Sequence, residues 1–288
     1  MTPNTRDILA GHGLAPSKKR GQNFLKHRST ALRIVVQAGF SKEDHIIEVG
    51  VGFGALTLCL AERVSRVTGI EIDRGIVAYL EGSELLPANV ELLHQDILKS
   101  DFSVFHKRIG RPLKIISNLP YSISNPFIFK LIDSRTLIDR AVLLLQKEMA
   151  ERLTASPHSK EYGIPSVLLQ SCAEVRPLMV VGAAEFHPRP QVDSSLIEIK
   201  FDPGRITDDL FSALRSTVRA AFSSRRKTLV NNLIASLPAH LLGSADKAQK
   251  RALLVKGLAE HGLKPDIRAE NLTVKEFIAF SGYLLRSN

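Results

Sequence analysis

His45-Ile46-Ile47-Glu48-Val49-Gly50-Val51-Gly52-Phe53-Gly54 is the stretch on which the fold turns. Its first five residues read as a strand, its alternating glycines as a tight turn, and Ala55 to Arg63 as a helix. A glycine-rich turn between strand and helix lets the backbone approach a ligand, with unpaired N–H groups at the helix start. Gly50, Gly52 and Ala55 satisfy G-x-G-x-x-G/A, so a dinucleotide site stays open at this point. A second strand, Arg66 to Ile72, carries Glu71 17 residues beyond Gly54. A carboxylate there suits the two hydroxyls of an adenosine ribose, a need common to NAD and S-adenosylmethionine. A third strand, Val90 to His94, runs into Gln95-Asp96-Ile97, where Asp96 is placed to accept from an adenine amino group.

Further along, the apolar run Leu113, Ile115, Ile116 reads as another buried strand and leads into Asn118-Leu119-Pro120-Tyr121. Ser124-Asn125-Pro126 then opens a helix. An amide, backbone carbonyls and an aromatic ring thus meet at the carboxyl end of a strand, where open α/β sheets bind ligands. Acceptors beside a flat apolar face suit a planar ring bearing an amino group, such as adenine or cytosine. As an isolated tetrapeptide the same residues also read as a polar turn with Tyr121 covering core.

Strands and helices alternate from His45 to Gln146, after a helical run from Thr30 to Ala38, and imply a doubly wound parallel sheet. Lys147 to Leu153 reads as a charged helix. Val167 to Val175 and Ser194 to Phe201 read as late strands, including an antiparallel pair. Asp202-Pro203-Gly204 is a turn and the expected domain boundary. Beyond it, Leu210–Phe222, Thr228–Leu237, Lys247–Leu258 and Val274–Leu285 read as helices without strand signal. The expected organisation is a basic segment over 1–29, an α/β domain over 30–204 and a smaller all-helical domain over 205–288.

The 39 basic and 29 acidic side chains give +10, and the excess sits at the two ends. Residues 1–30 carry +5, residues 206–288 carry +6, and the stretch between is near −1. Such a distribution suits a polyanion gripped from two sides, and equally a generally basic soluble protein. No apolar stretch has membrane-spanning length, and the N terminus lacks a signal-peptide core, so cytoplasmic residence is expected. Cys59 and Cys172 sit in apolar patterns and read as small core residues; no metal is expected.

Taken in order, Glu48-Val-Gly-Val-Gly-Phe-Gly-Ala-Leu-Thr57, Glu71-Ile-Asp73, Gln95-Asp96 and Asn118-Leu-Pro-Tyr121 resemble the motif series of S-adenosylmethionine-dependent rRNA adenine-N6 methyltransferases. The flanks narrow the resemblance. Lys18 to Leu25 is similar to that family's N-terminal signature, and Phe186-His-Pro-Arg-Pro-Gln-Val-Asp193-Ser194 to its loop over the target base. Phe222 to Leu229, with Asn231-Asn232-Leu233, is similar to its C-terminal basic motif. Spanning about residues 18 to 233, the series resembles the KsgA-type small-subunit rRNA adenine dimethyltransferase family. Two departures stand out: Val51 occupies the place of a proline, and Arg20-Gly21 lacks an intervening leucine.

The resemblance implies a Rossmann-like methyltransferase domain with a helical C-terminal domain. It implies S-adenosyl-L-methionine as methyl donor, with Asn23, Leu25, Gly50, Glu71, Asp96 and Asn118 around it and Gln22 supporting the loop. Asn118 and a backbone carbonyl of Leu119 or Pro120 are expected to hold the adenine amino group, with Tyr121 and Phe186 sandwiching the flipped base. Phe186 also reads as a core aromatic at a strand end. Lys18, Lys19, Arg20, Arg225, Arg226 and Lys227 become RNA-contact candidates. The implied partner is small-subunit rRNA within a pre-ribosomal 30S particle, no membrane is involved, and a monomer is expected. A large-subunit (23S) methyltransferase of the macrolide-resistance type, and a non-catalytic assembly or transcription factor, are the alternatives. The long helical C-terminal segment argues against the first, and the joint presence of Asn118, Tyr121, Glu71 and Asp96 against the second.

Overall fold

The computed structural model describes residues 21–243 and 246–287. Two compact units are present: residues 21–150 with 174–201, and residues 151–173 with 202–287.

The first unit is built on a seven-stranded sheet. Its parallel strands are β2 (His45–Val49), β3 (Arg66–Glu71), β4 (Val90–His94), β5 (Leu113–Asn118) and β6 (Ile138–Gln146). β7 (Ala173–Val181) lies at the edge beside β9 (Ser194–Phe201), and the order is β4-β3-β2-β5-β6-β9-β7. β9 pairs antiparallel with β6, as expected from the late apolar run. The central strands read as continuous apolar runs because both faces are covered, which fits Ile46, Ile47, Ile115, Ile116 and Leu143 at zero exposure. From β2 the chain winds outward to β3 and β4, then returns to β5 on the other side. That reversal between β2 and β5 opens a crevice at the carboxyl ends of the strands.

Helices α1 (Arg28–Ala38) and α2 (Ala55–Ala61) supply Ile34, Val35, Leu56 and Leu60 to the core against Ile46, Ile116 and Val142. α3 (Arg74–Gly82), α4 (Phe102–Ile109) and α5 (Ser124–Asp133) complete the winding. Asp73 and Asp101 cap α3 and α4 by accepting from the backbone N–H groups of Gly75 and Ser103. A separate two-stranded ladder joins β1 (Phe24–Leu25) to β8 (Phe186–His187), with Phe24 opposite His187 and Leu25 opposite Phe186.

The valine in the glycine turn has a structural reason. Val51 is 4% exposed and packs with Phe53, Ile76 and Leu80. Its Cγ2 would lie only 2.6 Å from a Cβ placed on Gly69 of β3. Gly69→Ala is therefore expected to cost about 1–3 kcal/mol through overpacking. Adding Val51→Ala should restore part of that loss. Urea midpoints of the single and double variants check both, and an unaltered Gly69→Ala midpoint would refute the account.

The charged stretch Lys147–Thr154 is helix α6, as expected. Val167 to Val175 is not a strand: α7 (Ile164–Cys172) occupies most of it, and β7 begins only at Ala173. Val167, Leu168 and Leu169 are all fully buried, and a helix buried on every side has the apolar content of a strand. In the second unit α7 packs on α8 (Asp208–Ala221) and α12 (Val274–Arg286). α9 (Leu229–Ser236), α10 (Ala239–Leu242) and α11 (Lys247–Glu260) complete this unit, which holds Leu214, Leu233, Leu258 and Phe277 at zero exposure.

Candidate active site

The carboxyl ends of β2 to β5 open onto a cavity of about 810 Å³. Its walls are segments 22–25, 48–53, 70–73 and 95–97, with Asn118, Pro120 and Ser122. Asn23, Leu25, Gly50, Glu71, Asp96, Asn118 and Pro120, all singled out from sequence, therefore share one chamber. The turn after β2 has Gly50, Gly52 and Gly54 at φ of 76°, 53° and 81°, the left-handed region that glycine enters without strain. This lets the chain reverse tightly and exposes backbone to the cavity.

Glu71 is clamped. Its Oε2 accepts from Gly52 N–H at 3.0 Å, and its Oε1 accepts from the N–H groups of Ile72 and Asp73 at 2.9 Å. Burial pushes its carboxyl upward, and these three backbone donors offset part of that rise. Asp96 accepts from Leu98 N–H at 2.9 Å through Oδ1. Glu48 is different. It lies 1% exposed at the cavity wall, and neither of its carboxylate oxygens has a hydrogen-bond partner.

Asn118 ends β5, and its Nδ2 donates to the backbone carbonyl of Asn23 at 3.0 Å. That bond fixes which side of the amide is the donor and turns its acceptor, Oδ1, away from the strap. The strap, residues 21–25, is also tied by Gln22 Nε2 donating to Asp73 Oδ2 at 3.3 Å. Tyr121 starts a short 3₁₀ turn, and its hydroxyl bonds Ser194 Oγ at 3.0 Å. Burial pushes its phenol upward, partly offset by Ser194, so the ring is neutral at physiological pH.

Leu119, Tyr121 and Phe186 do not line the cavity. Phe186 is 1% exposed and belongs to the core cluster with Leu25, Val142 and Leu196. The structure thus places that ring as core at a strand end, behind Leu25. In the second unit, Arg225, Arg226 and Lys227 are exposed in the turn between α8 and α9. Arg225 is tied down there: it donates to the Lys160 carbonyl and lies 3.9 Å from Glu270. Lys18, Lys19 and Arg20 lie outside the described residues. Among the described residues no group of three or more His, Cys, Asp or Glu is placed to hold a metal ion.

A family model described as ribosomal RNA adenine dimethylase matches residues 15–259. The chain belongs to the ribosomal RNA adenine dimethylase family. A curated relative from Desulfotalea psychrophila, "Ribosomal RNA small subunit methyltransferase A", is 45% identical over 95% of this chain and 93% of its own length. A relative of the same name from a Geobacillus species is 38% identical over 97% of this chain and 95% of its own. A solved dimethyladenosine transferase from Plasmodium falciparum is similar with TM-score 0.75 and 26% identity, over 89% of this chain and 95% of that one. The 23S rRNA methyltransferase ErmE, at 21% identity and TM-score 0.65 over 91% of this chain and 99% of its own, shares the fold.

As a ribosomal RNA adenine dimethylase family member, the chain is a methyltransferase, and its candidate site combines a chamber with an amide in its lining. Three features of this dimethylase site were missed in sequence. The Asn23 carbonyl orients Asn118, Ser194 holds Tyr121, and Glu48 presents an unpartnered buried carboxylate. Only the last left a signal: an acid inside an otherwise apolar strand, directly before the glycine turn.

Proposed function

We propose that this chain uses S-adenosylmethionine to dimethylate N6 of two adjacent adenosines near the 3′ end of small-subunit rRNA, within a pre-ribosomal 30S particle in the cytoplasm. It acts as a monomer of an α/β domain and a helical RNA-binding domain. Membership of the dimethylase family, joined to Asn118 at the rim of the chamber, carries this reading. Among the described residues no helix is long and apolar enough to cross a membrane.

The chamber fits the cofactor. Glu71, held by three backbone donors, would take the ribose hydroxyls, Asp96 the adenine amino group, and the Gly50 turn with Asn23 and Leu25 the methionine end. When bound, S-adenosylmethionine supplies a methyl group activated by its sulfonium charge. The adenine amino nitrogen is a weak nucleophile because its lone pair is delocalised into the ring. Asn118 Oδ1 and a backbone carbonyl accept its two N–H bonds and turn that lone pair toward the chamber. The second acceptor is the backbone carbonyl of Leu119 or Pro120; that of Pro120 already accepts from Ile123 N–H at 3.1 Å and keeps one further lone pair. Positioning and stabilisation of the developing positive charge supply most of the acceleration. Tyr121 stacks on the flipped base, and Phe186 backs the strap from the core.

Tritiated-methyl transfer to unmethylated small subunits, run beside naked large-subunit rRNA, tests the reading. Label in dimethyladenosine near the small-subunit 3′ end is expected. Label on large-subunit RNA alone, or none on either, would overturn it.

RNA contact is expected from the exposed pair Arg226 and Lys227 rather than from Arg225, which is tied within its own unit. Arg226→Ala/Lys227→Ala should weaken subunit binding and reduce the slope of log K against log salt by about 1.5 to 2. An unchanged slope in filter binding would make both residues ordinary surface.

A further inference from the structure

Glu48 occupies an uncommon position. It sits near the end of β2, opposite Gly69 on β3 and Ile116 on β5, with the chamber in front of it. Buried carboxylates are normally hydrogen-bonded or paired, because an isolated buried charge is costly. Here both oxygens lack a partner, and so does the buried Thr57 hydroxyl of α2. The groups facing Glu48 are the Glu71 carboxylate from β3 and, from α2, Thr57 and the Cys59 thiol. None of them carries positive charge. A like charge and near-complete burial therefore meet at a carboxyl whose nearest donor is the neutral Thr57 hydroxyl.

We propose that Glu48 is a proton-coupled counter-ion: it is a neutral acid in the free enzyme and gives up its proton as the positively charged end of the cofactor enters the chamber. This rests on the cofactor reading above and adds to it a stoichiometric proton. The free-enzyme state follows from burial, which pushes the Glu48 carboxyl up to about 8, with the neighbouring Glu71 charge adding to the rise. The Thr57 hydroxyl opposes this, and by more than the Glu71 charge adds, but burial outweighs both. Entry of a cation reverses the balance, since an opposite charge within a few ångströms favours the ionised form. The balance is simple: Glu48–COOH loses H⁺ to solvent, and the resulting carboxylate neutralises one positive charge of the ligand. Affinity consequently rises with pH wherever the free enzyme must shed that proton.

Isothermal titration of S-adenosylmethionine into the full chain at pH 6.5, in two buffers of different ionisation enthalpy, counts the protons. At that pH the ligand's own α-amino group is fully charged and contributes little. Close to one proton released per site is expected for the native enzyme, and close to none for Glu48→Gln. Saturable heat without proton release in the native enzyme would overturn the proposal while leaving the cofactor reading standing. Equal release from Glu48→Gln would overturn it too, assigning the proton to Glu71. Absence of any saturable heat would overturn the cofactor reading, and the proposal with it. The native measurement decides the question even if the variant fails to fold.

Discussion

Asn118→Ala is expected to reduce methyl transfer by about 10³-fold while cofactor affinity falls only several-fold. The large effect follows from what the amide addresses. In the proposed mechanism its Oδ1 accepts from the target amino group, and removing one pre-aligned polar group of this kind typically costs 10² to 10³ in turnover. The small effect follows from its other end. Nδ2 holds the Asn23 carbonyl at 3.0 Å, a neutral bond with a net contribution of about 1 kcal/mol. Losing it loosens the strap without removing a cofactor ligand of Glu71 type. Single-turnover kinetics with saturating cofactor, beside equilibrium cofactor binding, separate the two. Near-normal turnover in the variant would remove Asn118 from the mechanism, and a total loss of cofactor binding would make it a scaffold residue instead.

The cofactor-free protein is expected to lose stability as pH rises from about 5 to 8, and Glu48→Gln to remove that dependence. In the unfolded chain this carboxyl titrates at its ordinary value of 4.5, and in the folded protein at about 8. Between those values the native state holds a proton that the unfolded chain has released. Stability therefore declines with increasing pH, opposite to a salt-bridged acid. Below 4.5 the group is neutral in both states and the stability it contributes is fully present. Above 8 it is ionised in both, and the native state bears a buried, unpaired charge. The interval caps the effect at ~5 kcal/mol. Urea midpoints of native and Glu48→Gln proteins at pH 5.5 and 8 measure it, and the difference between the two isolates this group from the other titrating residues. Parallel loss in both proteins would show that Glu48 is already ionised and solvated.

Much of this was legible in sequence. The strands His45–Val49 and Val90–His94 have the bounds read from their apolar runs, because turns and glycines fence them on both sides. Four of the helices after residue 205 were placed to within a few residues, each having a Thr or Asp at its start, whereas the single-turn α10, which follows Pro238, was not read. The failure at Val167–Val175 has a physical cause, since full burial erases the periodicity that distinguishes helix from strand. Pro165, sitting in the first turn of α7, was the available clue. Gly50, Glu71, Asp96 and Asn118 were legible because they lie at or just beyond strand ends, whereas Asn23 and Leu25 were named only through the family resemblance. Phe186 was not, because whether a ring faces a ligand or the core depends on contacts with Leu25 and Val142, both distant in sequence. Glu48 was visible as a letter and invisible as a problem, since only the folded protein shows that nothing neutralises it.

The ladder between Phe24–Leu25 and Phe186–His187 joins segments some 160 residues apart in the chain. Leu25 packs with Phe186 in the core, Lys26 N–H donates to the Glu185 carbonyl at 2.9 Å, and Thr30 Oγ1 donates to the Glu185 carboxylate at 2.5 Å. For anyone building chimaeras between relatives, the two segments form one transplantable part. A loop 183–193 exchanged without residues 23–30 would arrive with half its seams unmatched, so swaps should be designed in pairs.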